Sequence, residues 1–219
     1  MTFQKKAHWD TVYATKSANE VSWTQKTQEV SMSMIRLLKL PKKAKIIDIG
    51  GGDSTLVDEL LHIGFTALTV LDISKVAISK AKERLGDNAN KVTWIVSDIH
   101  GFQPLESYDL WHDRAAFHFL TLEEEQQSYL DKASKYARNL ILGTFSDKGP
   151  LKCSGLPVRG YSWNAMNRFF RKHFNTVLNK NQVHLTPFGS KQYFVFGVYR
   201  NSKSLLEYCN QVDCYHKIK

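Results

Sequence analysis

The chain has 219 residues, 42% hydrophobic, 12% aromatic and 23% charged, with a formal net charge of +9. That size and apolar content support a self-sufficient core and exclude wholesale disorder, and no apolar run reaches the ~20 residues of a membrane-spanning helix. Three cysteines without a CxxC pair, and an opening MTFQKKAHWD without a secretory apolar stretch, make a cytoplasmic protein with no membrane partner the expectation.

Charge is unevenly distributed. Residues 1–44 hold 8 basic and 3 acidic side chains, residues 45–144 hold 10 and 15, and residues 145–219 hold 12 and 3. A mildly acidic middle is flanked by two basic segments, which are either solvated surface or faces turned toward an acidic partner.

Before residue 45, His8–Tyr13 and Thr24–Leu40 show helical patterns. KIIDIG (45–50) is a short apolar run ending in glycine, the signature of a buried parallel strand. Ser54–Gly64 spaces its leucines as a helix that stops at Gly64. LTVLD (68–72) is a second strand, and Ser74–Leu85 a helix opened by an N-cap serine. VTWIV (92–96) and Tyr108–Trp111 follow as third and fourth strands. Thr121–Ala137 reads as a helix with a Thr121/Glu124 capping box, and NLILGTF (139–145) as a fifth strand.

Strands alternating with helices imply a parallel, doubly wound sheet. After residue 145 the pattern changes to an aromatic helix, Tyr161–Phe174, and two extended runs, Thr176–Leu185 and Lys191–Arg200. Their join is too short for a helical crossover, so they pair antiparallel. The expected fold class is α/β: a doubly wound, seven-stranded, mostly parallel Rossmann-like sheet closed by an antiparallel hairpin. The expected divisions are a helical lid over 1–44, the main domain over 45–200 and a tail over 201–219.

The strongest chemical signal is IIDIGGGDSTL (46–56). A strand ends in Asp48, turns through Gly50, Gly51 and Gly52, and leads into a helix whose amides face a ligand. Ligands in such sheets lie beyond the carboxyl ends of the strands. Asp72, followed by Ile73, ends the second strand and is placed to accept two ribose hydroxyls. Asp98 and Ile99 follow the third, where adenine would lie. Thr55 stands where a nicotinamide fingerprint needs glycine, and no P-loop lysine is present. Three acids repel a pyrophosphate and suit a cationic nucleoside such as S-adenosylmethionine. No metal-ligand spacing occurs, so no metal is expected.

The glycine turn and its acids, read with HWDTVYATKSANEVSWTQ (8–25), HDRAAFHFLT (112–121) and CSGLPVRGYS (153–162), resemble the class I S-adenosylmethionine-dependent methyltransferases. Within them, the similarity is to the branch of the citrate synthase lysine methyltransferase and its uncharacterised bacterial relatives. The resemblance implies S-adenosylmethionine as cofactor, with S-adenosylhomocysteine as product. It places Asp48 and Gly50–Gly52 at the methionine end, Asp72 at the ribose, and Asp98 with Ile99 at the adenine. A methyl acceptor follows as partner, preferably a lysine on a protein with an acidic surface, or alternatively a small thiol, amine or hydroxyl. A catalytically silent cofactor-binding module is a third reading.

The stretch after the fourth strand lacks the Pro-Pro-aromatic motif that grips planar nitrogens, so nucleic acid is not the expected substrate. Asp113 is the first candidate to position an acceptor ammonium, unless it pairs with Arg114 or caps the next turn. His112 or His118 stands as candidate base. Trp9, Tyr13 and Trp23 either cover the cofactor or dock the N-terminal helices.

Overall fold

A computed structural model describes residues 2–25 and 27–203. Most of the expected tail, from residue 204 onward, lies outside the described residues. Helix α1 (Thr2–Thr15) and helix α2 (Glu29–Leu37) precede β1 (Lys45–Ile49). There follow α3 (Leu56–His62), β2 (Ala67–Asp72), α4 (Lys75–Leu85), β3 (Val92–Val96), β4 (Tyr108–Arg114), α5 (Glu123–Tyr136) and β5 (Ala137–Phe145). A two-residue hairpin, β6 (Lys152–Cys153) and β7 (Leu156–Pro157), leads to α6 (Trp163–Phe170), β8 (Phe174–Leu185) and β9 (Lys191–Asn201).

Seven strands form one sheet in the order β3-β2-β1-β4-β5-β9-β8. The first five are mutually parallel, and β9 runs antiparallel beside β5 with β8 outside it. The expected fold class is the observed one. Chain order reverses at β1, so the β1 and β4 ends open a crevice between crossovers of opposite sense.

Alternation along the strands loads both faces. Ile46, Leu68, Val70, Leu110 and Ile141 pack on one side with α2 and α3, while Ile47, Leu71, Trp111, Leu140 and Leu142 pack on the other with α5 and α6. The central strands β1, β2, β4 and β5 are therefore apolar on both faces, the reason their sequences read as near-continuous runs. No described helix is long and apolar enough to cross a membrane.

Two expectations are corrected here. The fourth strand does not stop at Trp111 but continues to Arg114, because β1 and β5 offer ladder partners on both sides: His112 opposes Asp48 and Ile141, and Asp113 opposes Ile49 and Leu142. His112 and Asp113 are thus buried strand residues rather than loop residues. The helix after it begins one residue later than the Thr121/Glu124 pattern suggests. Glu125, not Glu124, accepts the amides of Thr121 and Leu122, at 3.1 and 3.4 Å.

Gly143 on β5 illustrates how closely β9 approaches. A Cβ there would stand 2.3 Å from the Phe196 ring, which faces it in the ladder. Gly143→Ala is expected to destabilise the fold by ~1–3 kcal/mol, measured as a melting-temperature drop of about 2–4 °C per kcal/mol.

Candidate active site

A cavity of about 360 Å³ opens at the carboxyl ends of β1, β2, β3 and β4. Asp48, Gly50, Gly51, Asp72, Ile73, Asp98, Ile99, His112, Asp113, Tyr13 and Trp23 all line it; Gly52 sits just behind the wall.

The glycine turn is shaped by the acids around it. Gly50 adopts φ +65° and Gly52 φ +39°, the region open to glycine without steric cost. A Cβ on Gly51 would lie 2.7 Å from Asp48 Oδ2, and one on Gly52 2.7 Å from Asp72 Oδ2. The amides of Gly50 and Gly51 donate to the Leu71 carbonyl at 2.7 and 3.2 Å, so the turn is tied to the adjacent strand. Helix α3 starts at Leu56, whose amide donates to Ser54 Oγ at 3.2 Å. Arg84 grips the same turn through the carboxylates of Asp53 and Asp58 and the Ser54 carbonyl, a clamp that no local sequence signal announced.

Each buried carboxylate is answered differently. Asp48 accepts from His112 Nδ1 at 2.6 Å, and His112 Nε2 pairs with Ser31 Oγ of α2 at 2.8 Å. Both ring nitrogens of His112 are therefore engaged, which leaves none to take a proton from an acceptor. Asp113 Oδ1 accepts the amides of Ala116 and Phe117 at 3.0 and 3.2 Å, and Oδ2 accepts the Tyr129 hydroxyl at 2.9 Å. Burial nevertheless lifts Asp113 to about 6. Neither of its oxygens is directed to an acceptor, and it forms no ion pair with Arg114: neighbours on a strand point to opposite faces. Its bonds instead close the turn in which Ala115 adopts φ +71°, the turn-capping alternative.

Asp72 is answered by backbone amides. Its Oδ1 accepts the Ser74 amide at 2.7 Å, yet burial, with the negative charges of Asp48 and Asp10 adding to it, raises it to about 7. Asp98 accepts the His100 amide at 2.8 Å.

Helix α1 spans the opening. Asp10 Oδ1 accepts the Ser74 hydroxyl at 2.7 Å and the Val76 amide at 3.3 Å at the start of α4, while Lys5 pairs with Glu125 of α5 at 2.9 Å. Between these anchors, Trp9 lies edge-on to Trp23 and Phe119 at 5.6 and 5.1 Å, with Tyr13 6.0 Å from Trp23. These aromatics form one cavity wall. Sequence reasoning missed Asp10, whose role depends on a helix 64 residues away.

Residues 47–139 match the family model described as a methyltransferase domain. A malonyl-[acyl-carrier protein] O-methyltransferase of Anoxybacillus flavithermus is 36% identical over 105 residues, 47% of this chain and 39% of that protein. An eEF1A lysine and N-terminal methyltransferase of Mus musculus is 22% identical over 120 residues, 54% of this chain and 17% of that protein. The fold matches the N-methyltransferase NodS of Bradyrhizobium japonicum, solved with S-adenosyl-L-homocysteine, with a TM-score of 0.63 and 16% identity over 92% of this chain and 98% of that one. Residues 47–139 are thus similar to a methyltransferase domain, on a fold shared with a solved methyltransferase. The chain spans about two-fifths of the length of the O-methyltransferase relatives it matches.

Asp113→Asn places an amide where Tyr129 donates, while Trp111 Nε1 already donates to the same hydroxyl at 3.0 Å. A buried hydroxyl proton is left without an acceptor. The expected cost is ~1–3 kcal/mol of stability, read from denaturant midpoints, and Tyr129→Phe is expected to cost a similar amount by orphaning the Trp111 N–H.

Proposed function

We propose that this protein transfers a methyl group from S-adenosylmethionine to a nucleophilic acceptor held over the ends of β4 and β5. The observation that carries this reading is the convergence of the glycine turn with the carboxylates of Asp48, Asp72 and Asp98 on one cavity. The residues present fit that cofactor. Glycines keep clear the space beside Asp48 and Asp72, and Asp72 retains a carboxylate that two hydroxyl donors would complete. When bound, the sulfonium supplies an already activated methyl carbon.

The chain's own residues then bind, align and dry. Asp72 would hold the ribose diol, and Asp98 with Ile99 the adenine. Gly50, Gly51 and Asp48 would meet the methionine end, with His112 and Ser31 fixing Asp48. Trp9, Tyr13 and Trp23 would exclude water, and their ring faces favour a neighbouring cation by ~0.5–2 kcal/mol. Alignment of this kind can supply up to roughly 7–11 kcal/mol of the barrier.

A protein lysine is the acceptor that the sequence resemblance implies, presented on an acidic surface that the basic flanks would meet. The eEF1A lysine and N-terminal methyltransferase that the chain resembles supports it. A lysine ammonium must first lose its proton; with His112 and Asp113 both hydrogen-bonded within the protein, the lysine reading leaves that task to water. Labelled S-adenosylmethionine incubated with the protein and a cell lysate tests these readings. A labelled protein band is expected, label confined to small molecules would replace the protein acceptor by a metabolite, and cofactor binding without transfer would overturn the enzyme.

Cofactor binding should also report on Asp72. An acid whose folded pKa is raised to about 7 is protonated more readily than in the unfolded chain, and hydroxyl donors require its ionised form. Affinity for S-adenosylhomocysteine is therefore expected to rise between about pH 6 and 7, by up to tenfold per unit, and to level off above. Asp72→Asn is expected to weaken binding about 10–100-fold and to flatten that profile in calorimetry.

A further inference from the structure

On the β5 side of the cavity two donors face no acceptor. Arg114, the last residue of β4, is partly buried. Its Nη1 donates to the Trp23 carbonyl at 3.1 Å, and its guanidinium lies 5.2 Å from the centroid of the Phe194 ring. Its Nε is buried without a partner among the described residues. Asp48 is near enough to favour the charge but is committed to His112. Burial lowers Arg114 to about 10, so it stays cationic at neutral pH.

His118 is wholly buried and stacked on Phe145, 4.2 Å between ring centroids and 3° between planes. The Phe145 amide donates to its Nδ1 at 3.4 Å, which leaves the ring proton on Nε2. That atom is also buried without a partner among the described residues. Burial, reinforced by the Arg114 charge, pushes His118 down to about 3. It is a neutral N–H donor, which corrects its candidacy as a base.

Arg114 and His118 line the same cavity, with Phe145 of β5 and Phe194 of β9 as its apolar floor. In the sheet these strands lie on the far side of β4 from β2 and β3, where Asp72 and the neighbouring Asp98 face the nucleoside. Buried donors without acceptors are costly, and a guanidinium with an adjacent N–H matches the lone pairs of a planar oxyanion. An ammonium here would meet a like charge.

We propose that Arg114 and the Nε2–H of His118 form a carboxylate-binding site, and that the methyl acceptor is a carboxylic acid on an apolar stem. This rests on the methyltransferase reading and replaces its lysine acceptor by a carboxylate. A carboxylate is ionised at neutral pH and needs no base, consistent with His112 and Asp113 being engaged. One oxygen lone pair forms the bond to the methyl carbon while the carbon–sulfur pair stays on sulfur. The products are a methyl ester and S-adenosylhomocysteine, and no proton moves.

The test is titration of hexanoate and of hexylamine into the full chain saturated with S-adenosylhomocysteine, followed by calorimetry. Saturable hexanoate binding without hexylamine binding is expected. Arg114→Met should weaken hexanoate at least about tenfold while S-adenosylhomocysteine affinity holds within about twofold, and Arg114→Lys should restore part of the loss. His118→Phe, which keeps the stacking, should also weaken hexanoate, and decides the matter should Arg114→Met not fold.

Equal hexanoate binding by wild type and variants, or preference for hexylamine, overturns the proposal. So does an Arg114→Met that loses S-adenosylhomocysteine but keeps 5′-methylthioadenosine, which lacks the amino-acid moiety: the site would then serve the cofactor's own carboxylate. Failure of the wild type to bind S-adenosylhomocysteine strikes the methyltransferase reading instead, and the hexanoate series without it still judges this site.

Discussion

Burying carboxylates at the ends of adjacent parallel strands costs free energy, and the site is organised around how each of those charges is answered. Asp48 meets an imidazole held from behind by a serine on α2. Asp113 is saturated by two amides and a tyrosine hydroxyl. Asp72 is left with an incomplete set of donors and a raised pKa. Unequal satisfaction separates Asp113, both of whose oxygens are taken, from Asp72, whose donor set leaves room for further hydroxyls.

The opposite imbalance lies across β4. There Arg114 and His118 present donors in an aromatic floor with no acid to receive them. One cavity therefore has an acceptor-rich end over β2 and β3 and a donor-rich end toward β5 and β9. A cationic nucleoside and an anionic second substrate would meet near the mouth of β1 and β4, where chain order reverses. Helix α1, anchored by Asp10 on one side and Lys5 on the other, supplies the aromatic roof.

The strands and the glycine turn were legible because their signals are local. KIIDIG and LTVLD are apolar runs that two-sided burial explains, and Gly50 and Gly52 sit where the backbone needs positive φ. The fourth strand was underestimated because its final residues, His112, Asp113 and Arg114, are polar. Their place in the ladder is conferred by β1 and β5 on either side. The helix cap at Glu125 was misread for a related reason: three glutamates follow one another at 123–125, and which of them reaches back to the Thr121 and Leu122 amides is not set by the local pattern.

The sequence by itself determined the order of strands and helices, the glycine turn with its following acids, and hence the class of nucleoside that the cavity suits. Those features depend on periodicity and on spacing within one strand–turn–helix unit, which short-range sterics and hydrophobic burial impose. Tertiary structure alone decided which polar residues remain available. Asp48, His112 and Ser31 come from three elements, and Asp113 with Tyr129 and Arg114 with Phe194 each join two. Whether a side chain is satisfied or left seeking a ligand depends on partners distant in the chain, and no local pattern encodes that count.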